Sequence, residues 1–392
     1  MKFWSIFIKR VFLIWYAAMA MAAVGMAAKA QTPQPRYYPE AMNAADFILN
    51  LQDDEGAIPD RPGGEKVNED SNMEYALSGL AAAYDASGMP CYLDGLEKGI
   101  RWLAAREEMA DPDWRGSWFY AYSSSPPYEP LAIHMGNNII NVRGVDATSG
   151  LFVYLLLKYQ MLSGSDALTV EFEDNARAAL DFLLAHNSDP SGFFCSSWQL
   201  HSDDGTWHLW QYKYSADQAD VFLGLRAGFI LYADPNYGEA ADFLAKNVSS
   251  AFFLDRKGRY ALGMDANGAL DKDFEGFNGI FPQGYLPWVF GPGDNNTRSR
   301  HWLIKHRRTS GAVVVKQGPA YSLSADVMIM ASTALGKKVP GRSERWIAKK
   351  MCDSIDGGVV DSNRSKVKYT NVAGFTIISL LYEPYLSQQA HD

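Results

Sequence analysis

The chain has 392 residues, of which 47% are hydrophobic, 13% aromatic and 21% charged. Its 11 Trp, 21 Tyr and 20 Phe exclude a disordered or low-complexity chain, and its length allows a core that needs no disulfide or metal to fold. The net charge is −9, and it becomes −13 (32 basic against 45 acidic residues) without the four basic residues of the first 30, which excludes nucleic acid as a partner.

In chain order, residues 1–30 read as an export signal. A basic start with Lys2, Lys9 and Arg10 is followed by the apolar run VFLIWYAAMAMAAVGM and the small-x-small triplet Ala28-Lys29-Ala30. The expected location is periplasmic or secreted. The mature chain is expected to begin near Gln31, which terminal sequencing of the exported protein checks. An uncleaved anchor is the alternative, because the apolar run approaches bilayer-spanning length, and membrane contact is expected only in that case. Residues 31–392 are then expected to form one domain. Cys91, Cys195 and Cys352 have wide, unpatterned spacing, and the seven His show no ligand spacing. Neither a metal nor another cofactor is expected.

From residue 40 onward, helical periodicity alternates between two kinds of segment. Amphipathic segments fall at 40–51, 92–108, 168–186, 238–250 and 342–355, with charges on one face and Leu, Phe, Trp or Ala on the other. Segments apolar nearly all round fall at 73–86, 147–162, 216–232, 325–336 and 371–384. A helix apolar on every side is buried on every side. A less regular pair spans 280–306. The order outer, inner, outer, inner predicts six helical hairpins, and long aromatic loops precede the inner members. The expected fold is all-α, a closed (α/α)6 toroid, with an open α-solenoid as the alternative.

Each inner segment opens on polar residues: Glu69-Asp70-Ser71-Asn72, Arg143-Gly144-Val145-Asp146, Tyr212-Lys213-Tyr214-Ser215, Tyr321-Ser322-Leu323-Ser324 and Tyr369-Thr370-Asn371. Any one of these has a plain explanation in helix capping. Clusters of two to four polar groups at one end of a ring exceed what capping requires.

VRGVDATSGLFVYLLLKYQMLSGSD at 142–166 resembles a segment of debranching-enzyme and trehalase-like toroids, and YSADQADVFLGLRAGFILYAD at 214–234 is a counterpart from the next hairpin. On these segments the chain resembles the six-hairpin glycosidase-like superfamily. FNGIFPQGYLPW at 277–288 resembles a late segment of such toroids, but Gln283 and Gly284 stand where an acid would be expected. The resemblance implies a carbohydrate-active enzyme acting on an oligo- or polysaccharide.

Glycosidic hydrolysis needs two carboxyl groups, one kept protonated. The candidates are Asp70, Glu74, Asp146, Asp217 and Asp220, with Asp70 and Glu74 four apart and Asp217 and Asp220 three apart. Trp118, Trp210 and Tyr212 are candidate sugar-stacking or sugar-binding residues in aromatic loops. His134 and Arg143, with Asn137 and Asn138, suit the neutralisation of a uronate carboxylate. That makes a polysaccharide lyase or uronate epimerase the second reading, with His134 or Tyr212 as base. The third reading is a non-catalytic carbohydrate-binding or assembly protein.

Overall fold

A computed structural model describes residues 35–136, 138–272, 277–307, 310–312, 315–317, 320–322, 341–360 and 367–381. The signal-like segment 1–30, Asn137 and the inner segment 325–336 lie outside the described residues, as do Ser324 and residues 382–384.

Among the described residues the predicted alternation is present. Outer helices are α1 (Tyr38–Leu51), α3 (Pro90–Ala104), α5 (Ala167–Glu171) with α6 (Glu173–Phe182), α8 (Pro235–Ala251), α10 (Asp294–His306) and α11 (Gly341–Trp346). Inner helices are α2 (Asn72–Ser87), α4 (Asp146–Ser163), α7 (Asp217–Tyr232), α9 (Phe277–Phe290) and α12 (Thr370–Leu381). Sequence chemistry sets many of the ends. Pro90 and Pro235 open α3 and α8, where a missing N–H costs nothing, and Asp234 caps α8 by accepting from the Asn236 amide at 2.9 Å. Gly88 and Gly164 close α2 and α4 in the left-handed conformation. Inner helices α4 and α12 are buried along almost their whole length, whereas α3 buries one face and exposes the other. Burying the aliphatic side chains of these inner helices contributes about 1.5–3 kcal/mol for each fully covered Leu or Ile.

The ring closes where α12 packs on α2, and α12 also lies against α1. Small residues let the inner helices approach. A Cβ on Gly79 of α2 would fall 2.5 Å from the Gly374 Cα of α12, and one on Gly150 of α4 would fall 2.4 Å from the Asp220 carbonyl oxygen of α7. Gly150→Ala therefore forces two backbones apart. It is expected to cost about 1–3 kcal/mol, and a lower Tm by several degrees in a thermal melt checks it. An unchanged Tm would show that the seam is looser than described.

Among the described residues the long loops lead into the N-terminal ends of inner helices, and short antiparallel pairs join the loops ahead of α2, α4, α7 and α9 in succession. Strand β1 (Lys66–Val67) pairs with β2 (Tyr122–Ser123), joining the loops ahead of α2 and α4. Strands β3 (Ile139–Arg143), β4 (Ser197–His201) and β5 (Trp207–Trp210) form one sheet with Arg143 opposite Trp198, joining the loops ahead of α4 and α7. Strand β6 (Lys213–Tyr214) pairs with β9 (Gly263–Met264), reaching the loop ahead of α9. Within that last loop β7 (Phe253–Leu254) pairs with β8 (Arg259–Tyr260). The Thr370 amide donates to the Asp60 carbonyl at 2.9 Å, tying the head of α12 back to the first loop. Strands β10 (Val315–Gln317) and β11 (Ala320–Ser322) pair ahead of the fifth inner segment.

Gln283, which stands where an acid was expected, is a buried structural amide. It accepts from the Tyr260 amide at 2.8 Å and donates to the Tyr260 carbonyl at 3.0 Å, pinning β8 to α9.

Candidate active site

The approach to α2 runs through a strained backbone. Asn68, Asp70 and Ser71 adopt φ of 56°, 54° and 61°. Left-handed backbone is uncommon for residues other than glycine, so three such residues within four positions mark a geometry imposed by the surroundings. Asn68 supplies part of it. Its side-chain oxygen accepts from the Met73 amide at 3.1 Å and its amide donates to Glu74 Oε1 at 3.1 Å. The Asp70 amide donates to the Tyr120 carbonyl at 3.1 Å.

At the heads of α2, α4 and α7 the cap position itself, held by Ser71, Val145 and Ala216, carries no side-chain cap. Asp146 is the first helical residue rather than the cap, and its Oδ1 accepts from the Ala147 amide at 2.9 Å.

These heads converge on a cleft with about 680 Å³ of atom-free space, part of it open to solvent. Asp70, Asn72 and Tyr75 come from the α2 region, Tyr214 and Asp217 from the α7 region, Phe281 from α9, and Asn371 and Phe375 from α12. The Asn371 amide donates to Asn72 Oδ1 at 2.6 Å, so two amides from opposite ends of the chain form one polar edge. Asp70 and Asp217 are the two predicted carboxyl groups that line the cleft. Asp146, Asp220 and Glu74 are buried and do not line it. Asp220 accepts from Tyr75 Oη at 2.8 Å and from Tyr285 Oη, which fixes the aromatic wall that Tyr75 shares with Phe281, Tyr285 and Phe375.

The electrostatics are one-sided. Asp70 meets solvent in the cleft, yet the protein around it and the neighbouring Glu69 raise its pKa to about 6. Desolvation, then the charges of Asp70 and Asp220, push Asp217 well above the usual carboxylate range. Asp146 is pushed the same way by desolvation, Asp217 and Asp220. Desolvation is also the first cause for Asp220, Glu74 and Asp60, each raised to about 8. Among the described residues lining the cleft, none is basic.

Tyr212 and Trp210 extend the site. Trp210 stacks on Tyr212 with centroids 5.5 Å apart, Tyr212 meets Tyr214 edge-on at 4.8 Å, and Tyr214 lines the cleft. All three are half-buried, so an aromatic strip runs from β5 to the cleft. Tyr212 Oη also donates to Asp271 at 3.0 Å.

Three other predicted residues are elsewhere. Trp118 is 1% exposed, donates its indole N–H to the Leu103 carbonyl at 2.8 Å and packs on Phe152, so it is a core residue with no face open to a sugar. Arg143 does not pair with Asp146. Its guanidinium lies over Trp114 and Phe119 at 4.2 and 4.6 Å and donates to Ser117 Oγ at 3.1 Å, a cation–π cage that holds the β3 end of the sheet. His134 is exposed in the loop ahead of β3 and does not line the cleft. His134 and Arg143, two of the groups that favoured a lyase or uronate epimerase, therefore lie away from the cleft, whereas Tyr212 stays beside it. Among the described residues, no group of three or more His, Cys, Asp and Glu is arranged to hold a metal ion. The three cysteines are free thiols.

No protein-family model matches the chain, and no curated protein matches it by sequence. Solved structures do. A cellobiose 2-epimerase from Bacillus thermoamylovorans superposes with a TM-score of 0.64 at 12% identity, over 88% of this chain and 98% of that one. A glycosidase variant in complex with glucose gives 0.60 at 12% identity, over 89% and 97%. A D-mannose isomerase gives 0.61 at 13% identity, over 88% and 97%. The fold is the six-hairpin toroid. These identities speak to the fold alone. Within the toroid, Asn72, Tyr75, Tyr214, Phe281, Asn371 and Phe375 are cleft residues not singled out from the sequence. Asn72, Tyr214 and Asn371 lay inside the polar clusters at the helix heads. Tyr75, Phe281 and Phe375 looked like core residues of apolar helices.

Proposed function

We propose that the protein is a carbohydrate-active enzyme, and within that class a glycoside hydrolase acting at the cleft. One observation carries this reading: Asp70 and Asp217 reach the same cleft in environments that separate their proton affinities. Asp70, raised to about 6, gives up its proton more readily than Asp217, which desolvation first and then the charges of Asp70 and Asp220 hold well above the usual carboxylate range. That division assigns roles. Asp217 gives its proton to the leaving glycosidic oxygen as the bond to the anomeric carbon breaks, and ionised Asp70 serves as base for the attacking water or as nucleophile. Asn72 and Asn371 present an amide edge to sugar hydroxyls, and the Tyr214–Tyr212–Trp210 strip offers ring faces to the apolar side of a pyranose.

A second reading, sugar epimerisation or isomerisation, is favoured by the epimerase and isomerase among the structural neighbours. It calls for a base beside the carbonyl-adjacent carbon. His is the commonest such base, and no His lines the described cleft.

Incubation with a panel of neutral, amino and uronate-rich saccharides separates the readings. A hydrolase releases new reducing ends without ultraviolet absorbance from an unsaturated sugar, and that is the expected result. The unsaturated chromophore would make it a lyase, and a converted sugar without new reducing ends would make it an epimerase or isomerase. Binding without turnover would leave a carbohydrate-binding protein.

A further inference from the structure

Resting on the reading of Asp70 as the base of this cleft, we propose that Asn68 is its positioning residue: a buried amide that caps α2 from outside the cap position and so holds Asp70 out into the cleft. Asn68 is 1% exposed, and both ends of its side chain are used. Its Oδ1 accepts from the Met73 amide and its Nδ2 donates to Glu74 Oε1, each at 3.1 Å. Met73 is the second residue of the helix, and its amide would ordinarily be taken by the side chain in cap position. That position holds Ser71, whose hydroxyl donates back to the Asp70 carbonyl at 2.6 Å instead.

A cap supplied three residues early leaves residues 69–71 as extra chain, which must loop out. The loop is fixed at its ends and at its crest. Val67 pairs with Tyr122 on one side, α2 begins on the other, and between them the Asp70 amide donates to the Tyr120 carbonyl at 3.1 Å. Two consecutive acids then diverge: Glu69 pairs with Lys66 at 2.5 Å, while Asp70 lines the cleft. Asn suits both demands at position 68. It tolerates left-handed backbone, and its carboxamide carries an acceptor for Met73 and a donor for Glu74 at once. Held in this place, Asp70 feels desolvation first and then Glu69. Asp146, Asp217 and Asp220 at the heads of α4 and α7 couple to it, as do Tyr75, Tyr120 and Tyr214. Released into water, its carboxyl would return toward the ordinary value of about 4.

The test is kinetics across pH, on a saccharide that the wild type turns over, with a thermal melt of each preparation. Asn68→Gly keeps the left-handed backbone and loses both side-chain bonds. It is expected to lower kcat roughly 10-fold or more with KM within a few-fold. The acid limb of its kcat/KM profile is expected to move from about pH 6 toward about 4. Asn68→Asp keeps the acceptor but sets a second acid against Glu74, and should lose kcat as well. Combining Asn68→Asp with Glu74→Gln lets donor and acceptor trade places, and kcat is expected to return toward wild type. That rescue decides the matter if Asn68→Gly fails to fold. Wild-type kcat and acid limb in Asn68→Gly overturn the proposal, as does a loss of activity that tracks a fallen Tm while the limb stays at about 6. A double variant no better than Asn68→Asp overturns it too. Asp70→Asn separates this proposal from the reading beneath it. If Asp70→Asn loses activity and Asn68→Gly does not, the positioning role falls and the base stands. If Asp70→Asn keeps wild-type activity, Asp70 is not the base and both fall.

Discussion

Asp217→Asn is expected to lower kcat by roughly 10²–10⁴-fold while the protein remains folded, because it removes the transferable proton and almost nothing else. Asn matches the shape of Asp, and desolvation first, then the charges of Asp70 and Asp220, raise the pKa of the native carboxyl well above the usual range. The substitution therefore removes the penalty of ionising this desolvated group, and the stability should hold or rise slightly. Kinetics on a good substrate, with a thermal melt of the same preparation, separate chemistry from folding. Asp146→Asn should cost less, since Asp146 does not line the cleft and its bond from the Ala147 amide survives in Asn. Activity within error of wild type for Asp217→Asn, with greater loss for Asp146→Asn, would reverse these assignments.

Glu74→Gln is expected to stabilise the protein, and only at neutral to alkaline pH. Glu74 is fully buried, and desolvation first, then the charges of Asp220 and Asp60, raise its pKa to about 8 in the folded state. The sign follows from proton uptake. Below about pH 4.5 the group is protonated in both folded and unfolded chains and contributes nothing. As pH rises from there to about 8, the unfolded chain releases the proton while the folded one retains it, so stability falls. Above about 8 the loss is complete. Gln does not titrate, and its Oε1 still accepts from Asn68 Nδ2. A gain on the order of 2 kcal/mol at pH 8, or several degrees in Tm, is expected, with little change at pH 5. Equal melting points for the two proteins across this range would mean that Glu74 has more access to solvent or a counter-charge than described.

The layered fold was largely legible because burial on every side leaves a clear mark on a sequence. Segments such as 147–162 have no polar stripe, so they belong inside, and their alternation with amphipathic segments leaves few architectures other than a ring. The candidate cleft was legible at the level of helix heads: Asp70 and Asp217, read from polar clusters too rich for capping, line one cleft. The other candidates divide by physical cause. Glu74, Asp146 and Asp220 belong to the same cluster but lie beneath the lining, a depth that spacing along one helix does not encode. Trp118 and Arg143 were misplaced because an aromatic or cationic residue in a loop has the same letter whether it faces a ligand or packs the loop onto the core. The Asn72–Asn371 edge depends on ring closure between residues almost 300 positions apart, and the left-handed run at Asn68, Asp70 and Ser71 has no glycine to announce it.

The central claim is that Asp70 and Asp217 divide the proton work of one cleft. The pH dependence of kcat/KM on a good substrate, for the wild type and Asp70→Asn together, tests it most directly. The account predicts a bell for the wild type. Its acid limb falls below about pH 6 as Asp70 gains its proton, and its alkaline limb reflects loss of the proton from Asp217. In Asp70→Asn the residual activity should be lower by roughly 10²-fold or more, with the acid limb gone and the alkaline limb kept. A variant that keeps both wild-type activity and the acid limb would contradict the claim.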